Sequence, residues 1–468
     1  PVRHMNAVVN TDELREAYNT CLPKLSDYYT ELGQNQALYE AYMAIRQADS
    51  FSELDTAQQK VVTNALRDFE LSGIALDAER KKQFADNRRR LSELSSQFSD
   101  HVLDATRAWS KQLAPEKLPG VPASSLGLLK QQAEEQALEG CLVTLDFPSY
   151  IAIMTYCEDR ALREEVYVAY ASRASDRGPN AGEFDNSAII MEIMALRQAQ
   201  AALLGFDNYA EVSLVPKMAE STSDVMNFLN DLATHATGPA RAEFAELEAF
   251  ARDSDGLDSL QAWDVPFYAE KLRQKEFELS QEMLKPYFPA PTVIKGMLEV
   301  VRRLYDIEFE QVDGWQTWHP DVVCYNLLRD GQVFARFYLD LYARSGKRGG
   351  AWMDDCRVRR RLNDGSLQLP VAYLTCNFSP PVGDEPALLT HTEVVTLFHE
   401  FGHGLHHMMT RVEAAEVSGI NGVAWDAVEL PSQIMENWCW QRESLPLISG
   451  HFETGETLPD DLLDKMLA

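Results

Sequence analysis

Apolar side chains recur every three or four positions along most of this chain and switch to every second position in one later stretch. From Asp77, placed as an N-cap, Phe84, Leu91, Leu94 and Phe98 keep a helical beat through a charged segment containing Arg88, Arg89 and Arg90. Pro115, Pro119, Gly120 and Pro122 then read as a connector. The next region is again mainly helical. Its apolar run from Ile189 to Leu204 is stopped by Gly205 and resumes near Tyr209. Within 320–378, Val333, Ala335, Phe337, Leu339 and Leu341 alternate with Gln332, Arg336, Tyr338 and Asp340, the period of a strand. Asp330-Gly331 and Asp364-Gly365 predict hairpin turns, and Val371 to Phe378 predicts a last strand. The pattern predicts a mainly α protein with a small antiparallel-rich β-sheet. Three regions follow: 1–122 with a long helical hairpin, a helical 123–315, and 316–468 carrying the sheet.

Composition narrows the partners. At 468 residues and 45% hydrophobic the chain can bury a sizeable core in two or three packed subdomains. A net charge of −29 repels phosphates, so no nucleic acid is expected, and cationic peptides are favoured at low salt. The Arg88-Arg89-Arg90 run reads as a solvated helix face. No apolar stretch approaches a membrane span, since Ile189-Ile190-Met191 is broken by Glu192, so no membrane insertion is expected. Seven scattered cysteines without a C-x-x-C pair fit a reducing, cytoplasmic setting.

The chemistry concentrates at His399-Glu400-Phe401-Gly402-His403. H-E-x-x-H puts two imidazoles four residues apart on one helix face, where both reach one metal ion, with Glu400 beside the open coordination position as general base. By chance the motif arises in on the order of one per cent of chains with this histidine content. Its context strengthens it. Thr390 and Glu393 form a capping box ahead of it, and Val394, Phe398, Phe401, Leu405 and Met408 describe one buried face. Gly402 and Gly404 each cost about 1 kcal/mol relative to Ala in a helix, so something is expected to approach the helix backbone closely there.

A third ligand is required. A downstream His at metzincin spacing fails, because those positions hold His406 and Met409. Glu429 at a helix beginning, with Asp426 as its possible cap, stands modestly ahead of Glu413, Glu416 and Glu436. Glu436 lies about two turns beyond Glu429 and suits an outer partner. Gly419 and Gly422 make the following loop either a gate or an inert connector.

The segments His399–His407, Asp426–Gln433 and Glu436-Asn437-Trp438 resemble the thimet-oligopeptidase family of zinc metallopeptidases and its bacterial branch. Asn6-Ala7-Val8, Glu13-Leu14-Arg15, Phe337–Tyr342 and Gly346–Trp352 extend the likeness over most of the chain. The resemblance implies a multi-helix metallopeptidase with a deep substrate channel between two helical halves. It implies one zinc ion per chain on His399, His403 and Glu429, with Glu400 as catalytic base. It also implies a monomer acting on short unstructured peptides, signal-peptide fragments among them. Asp426, Glu436, Gly419, Gly422 and Tyr373 are candidates for outer-sphere or substrate contact, Tyr338 and Tyr342 weaker ones. An extended substrate is expected to pair with Val371 to Asn377. Relatives carry further substrate-binding tyrosines and a histidine beyond Ala468, and this chain opens on Pro1, so an internal piece of a longer protein is expected. The alternatives are a zinc- and peptide-binding piece without turnover, or a peptidyl-dipeptidase of the same family.

Overall fold

The structure, a computed structural model, describes residues 1–467. Ala468, where the terminal helix was expected to stop, lies outside them. Five helices open the chain: α1 (Val2–Val8), α2 (Asp12–Gly33), α3 (Gln36–Gln47), α4 (Thr56–Leu71) and α5 (Ala78–Arg107). Thr11, Asn35, Asp55 and Asp77 cap the last four, each accepting the amide three residues on. α2 and α5 form the expected long hairpin. The arginine run does more than face solvent. Arg89 reaches Asp27 on α2 at 2.8 Å, and Arg90 reaches Glu192 further along the chain at 2.6 Å.

A two-stranded ribbon, β1 (Ser110–Leu113) with β2 (Cys141–Thr144), surrounds α6 (Ala123–Glu135) in sequence. Then come α7 (Phe147–Tyr156), α8 (Arg160–Ala171), α9 (Ser187–Leu204), α10 (Tyr209–Leu214), α11 (Thr222–Asp255), α12 (Val265–Phe277), α13 (Gln281–Leu284) and α14 (Ala290–Tyr305). Gly205 ends α9 at φ 85°, the left-handed stop that its position predicts. One expectation is corrected here. By length and composition α9 suffices to cross a membrane, with a mean hydropathy of 1.2 over 18 residues. Glu192 does not shorten the helix. It projects from it and pairs with Arg90 of α5.

The sheet comprises β3 (Glu308–Gln311), β4 (Val323–Arg329), β5 (Gln332–Tyr342), β6 (Trp352–Arg357) and, after the small hairpin β7 (Arg360–Arg361) and β8 (Leu367–Gln368), β9 (Val371–Phe378). Its order is β3-β4-β5-β9-β6, with β5 and β9 parallel and the other neighbours antiparallel. Asp330 and Gly331, both at positive φ, turn β4 into β5 as expected. The segment Val371 to Asn377, expected to receive substrate, is an inner strand with both edges paired. The outer strands are β3 and β6, and β6 is the one beside β9.

Four helices complete the chain: α15 (His391–Met408), α16 (Leu430–Glu436), α17 (Leu445–Ile448) and α18 (Asp460–Leu467). Ala335, Phe337 and Leu339 of β5, Ala372 and Leu374 of β9, the apolar face of α15 and Val293, Met297 and Val300 of α14 share one core. That core gathers residues from Leu279 onward, so α14 belongs with the sheet. A cavity of about 2000 Å³ lies between the opening helices and the sheet region. Leu25 and Phe98 line it on one side, Asn377, Glu393 and Thr396 on the other. It meets α15 one turn before His399, and the metal ligands themselves are not in its wall.

Candidate metal centre

α15 forms where the capping box predicts. Thr390 Oγ1 accepts from Glu393 N–H at 3.2 Å, and Glu393 Oε2 accepts from Thr390 N–H at 2.8 Å. Val394, Phe398, Phe401, Leu405 and Met408 are all buried, which fixes the helix rotation and turns His399 and His403 to one side. The two helical glycines have the expected reason. A Cβ on Gly402 would lie 2.6 Å from Ser432 Cα and 2.7 Å from Pro431 O, and one on Gly404 would lie 3.0 Å from Leu374 Cδ2. α16 therefore crosses α15 at backbone contact, with β9 close on the next turn.

That crossing delivers the third donor. Glu429 is the residue before α16, and Pro431 occupies the first turn, where its missing N–H costs nothing. Glu429 Oε2 lies 3.1 Å from His399 Nε2 and 3.1 Å from His403 Nε2. One donor atom from each residue falls within 4.8 Å of the other two. Ser432 Oγ shares its one proton between the main-chain oxygen of Glu429 at 2.7 Å and Glu429 Oε2 at 3.0 Å, which orients the carboxylate. Sequence reasoning passed over Ser432, although a hydroxyl three residues after a helix-opening acid is a local signal of this bond.

The protonation pattern tests whether these residues suit a cation. Glu436 Oε1 lies 2.6 Å from His399 Nδ1, so the imidazole donates from Nδ1 to the carboxylate. The other ring nitrogen, Nε2, is the one turned to Glu429 Oε2. Burial holds His403 below the usual histidine range, which favours its neutral, ligating form. Two imidazole nitrogens and a carboxylate oxygen turned on one point suit a divalent cation. Zinc bonds of about 2.0–2.1 Å in a tetrahedron place ligand atoms roughly 3.3 Å apart, close to the spacing found.

Glu400 is buried beside the cluster at 6% exposure. Burial pushes its carboxyl up to about 7; His399 opposes the shift and Glu429 adds to it. At neutral pH the group can therefore both take and give a proton.

The remaining candidates fall elsewhere. Asp426 does not cap α16: it accepts main-chain N–H bonds from Met218 and Ala219 at 3.0 Å. Gly419 and Gly422 adopt φ 66° and 73° in tight turns; a Cβ on Gly419 would meet His407 Nδ1 at 2.5 Å. His407 in turn reaches Arg357 O at the end of β6, at 2.8 Å. Tyr373 points to the opposite sheet face from its neighbour Leu374, stacking on His4 at 3.8 Å and standing 5.4 Å from the Tyr338 ring. Tyr342 packs against the main core. Glu413 is taken by Arg359 and Arg361.

The family matches, with this site, support a metallopeptidase. Residues 153–468 match the family described as "Peptidase family M3", and residues 1–81 match "Neurolysin/Thimet oligopeptidase, N-terminal domain". The chain belongs to peptidase family M3. It is similar to oligopeptidase A of Escherichia coli (strain K12), 56% identical over 470 residues that cover all of this chain and 69% of that protein. Dipeptidyl carboxypeptidase of the same organism is 32% identical over 466 residues, covering 99% of this chain and 67% of that protein. A crystal structure of a Bacillus anthracis str. Ames protein assigned as oligoendopeptidase F shares the fold at TM-score 0.55 and 17% identity. It covers 99% of this chain and 65% of its own, so this chain spans less than two thirds of that solved structure.

Proposed function

We propose that this chain carries the catalytic centre of a zinc-dependent oligopeptidase that cuts internal bonds of short peptides, with Glu400 as general base. The observation that carries the reading is the convergence of His399 Nε2, His403 Nε2 and Glu429 Oε2 next to a buried carboxyl. Zinc held there supplies Lewis acidity toward a carbonyl oxygen and toward water. The protein's own part is proton handling. Glu400 takes a proton from the attacking water and returns it to the departing amine, which a carboxyl near neutrality does in both directions. Glu436 holds His399 in one tautomer, and Ser432 holds Glu429 in one rotamer.

β6, the edge strand beside β9, is the strand we take to suit an extended peptide. The cavity of about 2000 Å³ between the opening helices and the sheet region favours short unstructured peptides over folded proteins. An acidic surface favours cationic ones. Seven free thiols suit a cytoplasmic enzyme, and we take it to act as a monomer.

The test is a quenched peptide incubated with and without chelator. Chelator-sensitive cleavage, lost in Glu400→Gln with zinc still bound, supports the reading; binding without cleavage in the wild type removes it. Product masses from one peptide with a free and an amidated C-terminus separate internal cutting from dipeptide release, because only the latter needs the free carboxylate.

A further inference from the structure

Asp426 stands three residues before the third donor, yet its carboxylate turns away from α16 and grips a distant segment. Both of its oxygens accept from Met218 N–H at 3.0 Å, and Oδ2 also accepts from Ala219 N–H at 3.0 Å. Those amides lie in the turn between α10 and α11, about 200 residues earlier in the chain. These bonds hold the Asp426 carboxyl below the usual carboxylate range. The turn is also the root of a long lever. α11 runs 34 residues from Ser221, its cap, which bonds Asp224 N–H.

Little slack separates Asp426 from the metal ligand. Ala427 N–H bonds Ala424 O at 2.9 Å, Leu430 N–H bonds Ala427 O at 3.3 Å, and Val428 between them is buried. Three residues span at most about 10 Å. The same loop is fastened at its other end to the outer strand, where Asn421 Nδ2 bonds Asp355 Oδ2 of β6 at 3.3 Å. The stretch that carries Glu429 is therefore strung between β6 and the α10–α11 turn.

We propose that Asp426 is a positioning residue: by clamping the α10–α11 turn to the ligand loop, it couples docking of that turn to the placement of Glu429 beside His399 and His403. The inference rests on the metal reading above. Reciprocity follows from linkage. If docking of the turn strengthens the grip on zinc, then bound zinc strengthens docking of the turn by the same factor. An Asp that served only as a surface tie would show neither effect.

The experiment compares wild type, Asp426→Ala and Asp426→Asn, each loaded with zinc. Hydrogen exchange at the Met218 and Ala219 amides and the rate of zinc release to excess chromogenic chelator are measured on the same samples. Asp426→Ala is expected to speed exchange at both amides and to release zinc about 10-fold faster or more, the range for partners one step removed from a ligand. Asp426→Asn keeps one acceptor oxygen and is expected to fall between; it carries the comparison should the alanine variant misfold. In the wild type, removing zinc should speed exchange at the same two amides. Exchange that accelerates while zinc release stays within about twofold overturns the coupling, and unchanged exchange overturns the bond itself. Wild type that takes up no zinc at all overturns the metal reading, and this proposal with it.

Discussion

Gly402 on the metal helix and Ser432 on α16 are in backbone contact: a single carbon added to Gly402 would fall 2.6 Å from Ser432 Cα. The contact sets how far Glu429, on one end of α16, and Glu436, on the other, can lean toward His399 and His403. Gly402→Ala should gain up to about 1 kcal/mol in helix propensity but lose about 1–3 kcal/mol to overpacking. The expected net result is a lower melting temperature together with weaker zinc retention. Thermal unfolding and metal analysis of the purified variant check both. A variant as stable as wild type with full zinc would show that α16 can step back freely.

Glu436 acts through the proton it holds on His399. Glu436→Gln keeps the shape but no longer fixes that tautomer, so zinc affinity should fall about 10- to 100-fold with little change in global stability. Glu400→Gln should do the reverse: zinc retained, and peptide cleavage slowed by at least about 10²-fold, the usual contribution of a general base. Competition with a chelator of known affinity, run beside a cleavage assay, separates the two roles.

What could be read from the sequence was local. The Thr390–Glu393 box, the apolar face of α15, the close approach at Gly402 and the Gly205 stop each depend on residues within a few positions, or on a missing side chain. The non-local parts were hidden. Val371–Phe378 reads as a strand, but nothing in its composition says that β5 and β6 flank it on both sides. Alternation shows that Tyr373 and Leu374 face opposite ways, not which of them meets α15. Asp426 looks like a cap because Asp before a helix usually is one; its partners lie too far back in the chain for any local signal. Glu192 looked like a break in an apolar run because its partner, Arg90, is also remote.

His4 gives the fold an acid-sensitive contact. Its ring is 2% exposed, stacks on Tyr373 and has no hydrogen-bond partner at either nitrogen among the described residues. Burial pushes its pKa down to about 4, against the pull of Asp340 and with the push of Lys347 and Arg344. The folded value lies below the ordinary 6.5, so in the window between them the unfolded chain takes up a proton that the folded chain refuses. The stability tied to neutral His4 is complete above about pH 6.5 and lost as the pH falls toward 4. Between pH 7 and 5 it should shrink by about 2 kcal/mol. Denaturant midpoints at the two pH values, measured for wild type and His4→Phe, read this out: the difference between the proteins should narrow or reverse on acidification. Parallel pH dependence in both would clear His4 of the effect.

Metal removal should act on one part of the molecule more than the rest. His399 and His403 sit on a helix whose apolar face is packed whether or not a cation is present, whereas Glu429 is half exposed and reaches the site from the short α16. Chelation removes the cation that ties Glu429 Oε2 to the two imidazoles, which frees the half-exposed carboxylate and α16 to swing outward. α16 and the loop before it should therefore exchange amide hydrogens faster in the apo protein, while α15 and the sheet stay protected. Global stability should drop by about 2.7 kcal/mol relative to protein held at a free zinc concentration 100 times its dissociation constant. Exchange mass spectrometry with and without chelator, followed by zinc add-back, checks the location; a zinc titration of the melting temperature checks the size. Equal loosening of α15 and α16 would mean that the cation organises the whole helix pair rather than recruiting Glu429 to a site already built.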